Sequence, residues 1–84
     1  MLRIAICDDM ADELQILLSL TNQYISTYHL NVDVKEFTHP DQLLTAIVIE
    51  SFHLYILDVV MPMISGLVLG KEIRRLDQEA QIIF

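Results

Sequence analysis

The sequence predicts one α/β domain built on a parallel sheet. Three observations lead there. The apolar period switches repeatedly between two residues and about 3.6. Strand-like and helix-like segments alternate along the chain, as right-handed βαβ crossovers require. The run "FHLYIL" (52–57) is nearly continuously apolar, the pattern of a central strand covered on both faces.

Each element has its own justification. "LRIAIC" (2–7) is a short β-type run. The segment 11–28 spaces Leu14, Leu17, Leu18, Ile25 and Tyr28 as a helix would. A second flank of the same segment carries Ile16, Leu20 and Tyr24. "NVDVKEF" (31–37) alternates Val32 and Val34 with Asp33 and Lys35, as a half-exposed edge strand does. Over 38–50, Pro40 suits a first helical position and Asp41 the positive end of the helix dipole. Leu43, Leu44, Ile47 and Val48 supply the buried face of that helix. "GLVLGKEIRRL" (66–76) is a third helix with Leu69, Ile73 and Leu76 in register, and "QIIF" (81–84) begins a fourth strand.

Composition bounds the function. Eighty-four residues make one small domain, and 54% hydrophobic residues make it too apolar to be disordered. A formal charge of −7 argues against this segment gripping nucleic-acid phosphates. No apolar run approaches the roughly 18–20 residues a membrane span needs, and the first residues lack a signal-peptide layout. The single Cys7 lies inside the first strand and is expected as a small buried core residue, with a reducing cytoplasm as the simplest compartment.

Two motifs concentrate chemistry. "ICDD" (6–9) ends the first strand with adjacent carboxylates, Asp8 and Asp9, and "LDVVMPMISG" (57–66) ends the third with Asp58. In an open parallel sheet, ligands bind beyond the carboxyl ends of the strands, where the strand order reverses. If the first and third strands are neighbours, three carboxylates converge on one rim, a set of hard oxygens suited to Mg²⁺ or Mn²⁺. Pro62 restrains Met61, and Gly66 is expected to adopt backbone angles other residues resist, so that a stiff loop holds Asp58. Ser65 is placed to cap the helix that follows.

This combination resembles the receiver domain of two-component response regulators, over the whole of residues 1–84. The resemblance implies a flavodoxin-like, doubly wound parallel sheet of strand order 2-1-3-4. It implies Asp58 as phosphoacceptor, Asp9 as a direct Mg²⁺ ligand, Asp8 as a ligand directly or through water, and the Val60 carbonyl as a further ligand. Met61, Pro62 and Gly66 would shape the acceptor loop. A sensor histidine kinase would be the phosphoryl donor, and the protein a regulator rather than an enzyme. The segment 66–84 also resembles receivers joined to a LytTR-type DNA-binding output domain, through which transcription would be regulated.

The chain departs from the family in one respect. It reaches Phe84 within the fourth strand, so the resemblance is to a receiver lacking its fifth strand and last two helices. With them go the Ser or Thr and the Lys that answer the phosphoryl group in relatives. A last helix would lie beside the first and could cover the Ile16, Leu20 and Tyr24 flank. Self-association or element swapping is therefore expected.

His29, His39 and His53 lie far apart and read as structural, as do Met63 and the solvated face "KEIRR" (71–75). Two other functions stand beside the phosphoacceptor. One is a receiver-like interaction module that takes no phosphate. The other is an aspartate-nucleophile phosphatase, which wants a second Asp two residues after the first, where this chain has Val60.

Overall fold

The computed structural model describes residues 1–84. Strands β1 (Leu2–Cys7), β2 (Val32–Phe37), β3 (Leu54–Leu57) and β4 (Gln81–Ile83) alternate with helices α1 (Ala11–Thr27), α2 (Pro40–Ile49) and α3 (Gly66–Leu76). All strand pairs are parallel, in the order β2-β1-β3-β4, as the resemblance implies. No helix is long and apolar enough to cross a membrane.

Register is what positions the site. Cys7 lies opposite Phe37 on one side and Leu57 on the other. The ladder runs one step further at both places. Asp8 N–H donates to the Phe37 carbonyl at 3.0 Å, and Asp58 N–H to the Cys7 carbonyl at 3.0 Å. At the opposite end, Arg3 N–H donates to His53 Nδ1 and its guanidinium to the Ser51 carbonyl, locking the start of β3 to β1.

The sheet has one closed face and one open face. Ala5, Cys7, Tyr55 and Leu57 alternate onto the side covered by α2 and α3, where Leu43, Ile47, Leu69 and Ile73 complete the core. Cys7 is fully buried there, as expected. Burial, and then the charges of Asp8, Asp9 and Asp58, push its thiol up to about 11. Phe52 precedes β3 yet is buried, because the apolar run continues into the core beyond the strand. Its N–H donates to the Tyr55 hydroxyl, and its ring meets Phe37 and Tyr55 edge-on.

On the other face the expected cover over β3 is present but partial. Leu54 and Ile56 are only half-buried, because α1 alone lies over this face. Three residues assigned to buried helix faces are exposed as well: Tyr28, Val48 and Leu76. Each lies in the last turn of its helix or just beyond it, past the edge of the layer it was expected to meet.

The helix ends show roles for two histidines that composition hides. His39 caps α2, its Nδ1 accepting from Asp41 N–H, ahead of Pro40 at the first turn. His29 closes α1 in the left-handed region at φ 54°. Leu30 N–H there donates to the Ile25 carbonyl and His29 N–H to that of Ser26, a Schellman closure. Glycine suits that position better than any L-residue. His29→Gly is therefore expected to stabilise the chain by about 0.5–1 kcal/mol, the relief of the left-handed conformation exceeding glycine's extra unfolded-state entropy, read as a higher urea midpoint with an unchanged slope.

Candidate functional site

Asp8 follows β1 and Asp58 follows β3, so the register sets them side by side at the carboxyl edge of the sheet. Asp8 is 2% exposed, and its Oδ1 accepts from Met10 N–H at 2.9 Å. Asp58 is half-buried, and its Oδ1 receives Val60 N–H at 3.4 Å, a long contact. Carboxylate oxygens of Asp8, Asp58 and Glu13 all lie within 4.8 Å of one another.

Glu13 is the residue that sequence reasoning missed. It is the third residue of α1, and helical side chains lean toward their own N-terminus, which here begins just after the acidic pair. Its carboxyl is pushed above the usual carboxylate range, first by a hydrogen bond shared with Asp8 and then by the charge of Asp8. The signal was available: an acid in the first turn of a helix that starts three residues beyond Asp8.

Asp9 is placed differently from the other three carboxylates. It stands outside the close cluster, half-buried, and its Oδ1 is sealed from solvent with no hydrogen-bond partner. It nevertheless lines the same open cleft, of about 620 Å³, as Glu13, Asp58, Val60, Met61 and Pro62. Met61 is buried in the core while Val60 and Pro62 are exposed, so one side chain anchors the loop beside the cleft.

Gly66 closes this loop for a reason other than the one expected. Its φ is not positive, so unusual backbone angles are not what it supplies. A Cβ there would lie 2.7 Å from the Asp58 carbonyl carbon and 2.9 Å from Val59 Cα, so the position requires the absence of a side chain. Gly66 N–H donates to the Val59 carbonyl at 2.9 Å, and Ser65 Oγ caps α3 by accepting from Val68 N–H.

Electrostatically the rim is unanswered. Arg3 and Lys35 pair with Glu50, Arg75 with Glu72, and Arg74 donates to the carbonyls of Asp77 and Gln78. No basic side chain forms an ion pair with Asp8, Asp9, Glu13 or Asp58. The clustered hard oxygens of Asp8, Glu13 and Asp58, with the buried, donorless Asp9 Oδ1 in the same cleft, fit a small divalent cation.

Comparison with known proteins agrees with this geometry. The family model described as the response regulator receiver domain matches residues 4–84. No curated protein matches the chain. Among solved structures, it is similar to the response regulator TrrA of Thermotoga maritima in complex with Mg²⁺-BeF, with 27% identity and a TM-score of 0.82 over 98% of this chain and 66% of that one. A structure of the histidine kinase ThkA in complex with TrrA matches at 29% identity and a TM-score of 0.70, again over 98% and 66%. A response regulator receiver domain protein from Clostridium thermocellum matches in fold, with 20% identity, a TM-score of 0.80 and coverages of 98% and 62%. The chain thus spans just under two thirds of the length of these solved chains.

Proposed function

This chain belongs to the response regulator receiver domain family, and from that premise we propose that Asp58 accepts a phosphoryl group from a sensor histidine kinase in a Mg²⁺-dependent reaction. The observation that carries the reading is the unanswered carboxylate cluster of Asp8, Glu13 and Asp58, with the partnerless Asp9 Oδ1 beside it. Support comes from one relative, TrrA, seen with Mg²⁺-BeF in one structure and with a histidine kinase in another.

Asp8, Asp9, Asp58 and the Val60 carbonyl would hold the cation, with Glu13 added to the set. Bound Mg²⁺ supplies neutralisation of the charge shared by acceptor and phosphoryl oxygens. The chain's own residues do the positioning. Met10 N–H orients Asp8, and the ladder bond from Asp58 N–H to Cys7, with Gly66 packed behind the Asp58 carbonyl, fixes the acceptor's backbone. A carboxylate oxygen of Asp58 attacks phosphorus as the bond from phosphorus to the donor imidazole nitrogen breaks, and the donor leaves as free imidazole. In this reading the domain is a phosphoacceptor that regulates an output, rather than an enzyme.

The test is phosphoryl uptake from acetyl phosphate with Mg²⁺, followed by intact mass. One phosphoryl adduct is expected, absent in Asp58→Asn. No adduct in a folded chain overturns the proposal and leaves a domain that works through its surface alone.

Glu13 gives a finer prediction within the same reading. Cation affinity in oxygen sites follows the number of charged ligands. Glu13→Gln is therefore expected to weaken Mg²⁺ binding by roughly three- to tenfold, measured by titration calorimetry, while phosphoryl uptake at saturating Mg²⁺ persists.

A further inference from the structure

The carboxylates around Asp58 are not held alike. Asp8 is 2% exposed and its Oδ1 is fixed by Met10 N–H. Asp58 is tied to Cys7 through its backbone and receives Val60 N–H on its carboxylate. Asp9 has its Oδ1 sealed from solvent. No main-chain N–H holds the carboxylate of Glu13, which ends the longest side chain of the set, in the first turn of α1. It can leave the cluster by rotation about its own side-chain bonds, with α1 in place. Its presence there is a matter of proximity among β1, α1 and β3, and depends on no exposed surface.

Distance makes Glu13 a ligand. Carboxylate oxygens of Asp8, Glu13 and Asp58 lie within 4.8 Å of one another, and oxygens about 2.1 Å from an octahedral Mg²⁺ lie roughly 3–4 Å apart. A small contraction brings all three onto one ion.

Crowding makes it a temporary one. Mg²⁺ is bound through few protein carboxylates and completes its octahedral shell with water and phosphate oxygens. Asp8, Asp9, Asp58, the Val60 carbonyl and Glu13 would fill most of that shell before a phosphoryl oxygen arrived. Glu13 also lines the same cleft as Asp58, so it borders the space a group on the acceptor must enter. That group brings about −1.5 to −2 further charge to carboxylates already sharing one divalent ion. The donor that gives way is the one the fold holds least.

We infer that Glu13 is an exchangeable ligand, which holds a position on the resting cation and yields it to an oxygen of the phosphoryl group on Asp58. The inference rests on the phosphoacceptor reading and adds a brake to it. Whatever affinity Glu13 gives the cation in the resting state opposes the phosphoryl group by the same factor, because couplings between bound groups are reciprocal.

Two calorimetric titrations of the chain test it: Mg²⁺ alone, and beryllofluoride at saturating Mg²⁺. Beryllofluoride stands in for the phosphoryl group, and is present with Mg²⁺ in the structure of TrrA. Glu13→Gln is expected to weaken Mg²⁺ binding by roughly three- to tenfold and to tighten beryllofluoride binding by about the same factor. Initial phosphoryl uptake from acetyl phosphate at saturating Mg²⁺, with acetate leaving, is expected to quicken likewise. Asp12→Asn removes an equal charge from the same helical turn but outside the cluster, and is expected to change each affinity by less than about twofold. Far-UV circular dichroism checks that both variants are folded. Weaker Mg²⁺ binding with beryllofluoride affinity unchanged or lowered makes Glu13 a permanent ligand and overturns the inference. Unchanged Mg²⁺ affinity overturns it as well, and so does equal tightening by Asp12→Asn. In all these cases the wild type still takes up phosphoryl. A wild type that takes up neither beryllofluoride nor phosphoryl brings down the phosphoacceptor reading, and this inference with it.

Discussion

Replacing Gly66 by alanine is expected to cost about 3 kcal/mol of stability and, with it, the placement of Asp58. The added Cβ would meet main-chain atoms of Asp58 and Val59 rather than the end of a flexible side chain. Only a shift of the loop or of the start of α3 relieves that overlap. Gly66 N–H also bonds the Val59 carbonyl, and Ser65 caps the same helix, so the shift would strain contacts on both sides. In a domain of this size, 3 kcal/mol corresponds to a fall in melting temperature of roughly 12–24 °C. Equilibrium urea unfolding checks the stability loss. Phosphoryl uptake by the fraction that remains folded checks the displacement of the acceptor. A variant of wild-type stability would show that the close approach of Gly66 to Asp58 has no energetic meaning.

Asp8→Asn is expected to act in opposite directions with and without Mg²⁺. The buried carboxylate of Asp8 is crowded by Asp58 and Glu13 with no cation alongside, so its charge opposes folding. Asparagine keeps an Oδ1 to accept from Met10 N–H and removes the charge. Without divalent metal the variant is expected to gain about 1–2 kcal/mol, after allowing for screening within an acidic cluster. With Mg²⁺ at about a hundred times its dissociation constant, the wild type gains roughly 2.7 kcal/mol and the variant much less. The order of melting temperatures therefore inverts on adding Mg²⁺, which thermal unfolding in paired samples reads directly. The pH profile of the metal-free wild type carries the same repulsion. The carboxyl of Glu13 titrates above its ordinary 4.5 in the folded chain, so it favours folding below that value and ceases to do so as pH rises through the folded value. Asp8→Asn removes the charge and replaces the charge-assisted hydrogen bond by a neutral one, and flattens that part of the profile.

Sequence periodicity reached most of the fold because each element answers to a local rule. Pro40 and Ser65 mark helix starts that the structure keeps, and the alternation of Val32 and Val34 with polar neighbours marks an edge strand that lies at the edge. Tyr28, Val48 and Leu76 defeated the same rule, since periodicity tells which face a residue shares and not how far the opposing layer extends. The coverage of β3 was reached in part. An apolar run implies two apolar faces, and helices lie over both, but the run does not tell how completely each is covered, and α1 leaves Leu54 and Ile56 half-buried. At the site, strand ends located Asp8 and Asp58, because register follows from the strands. Glu13 was missed although its first-turn position was legible; how closely it approaches Asp8 depends on the angle at which α1 leaves the sheet. Gly66 was singled out for backbone angles it does not adopt, since a close approach of two backbones leaves no trace in the sequence.

Making β1 the inner strand has a consequence in time. It is synthesised first, yet its neighbours arrive late: Leu2 pairs with Val32 and Ile4 with Leu54, and the bond from Arg3 N–H to His53 spans 50 positions. At roughly 5–20 residues per second of synthesis, the first strand waits on the order of seconds for its second partner, whereas isolated helices form in about a microsecond. Contacts this distant must pay for loop closure before they return anything, which makes parallel pairing slow. The carboxylates of β1 and β3 can meet only after that pairing is complete. The acidic corner is thus among the last parts of the molecule to exist, and a chain caught before then has helices but no site.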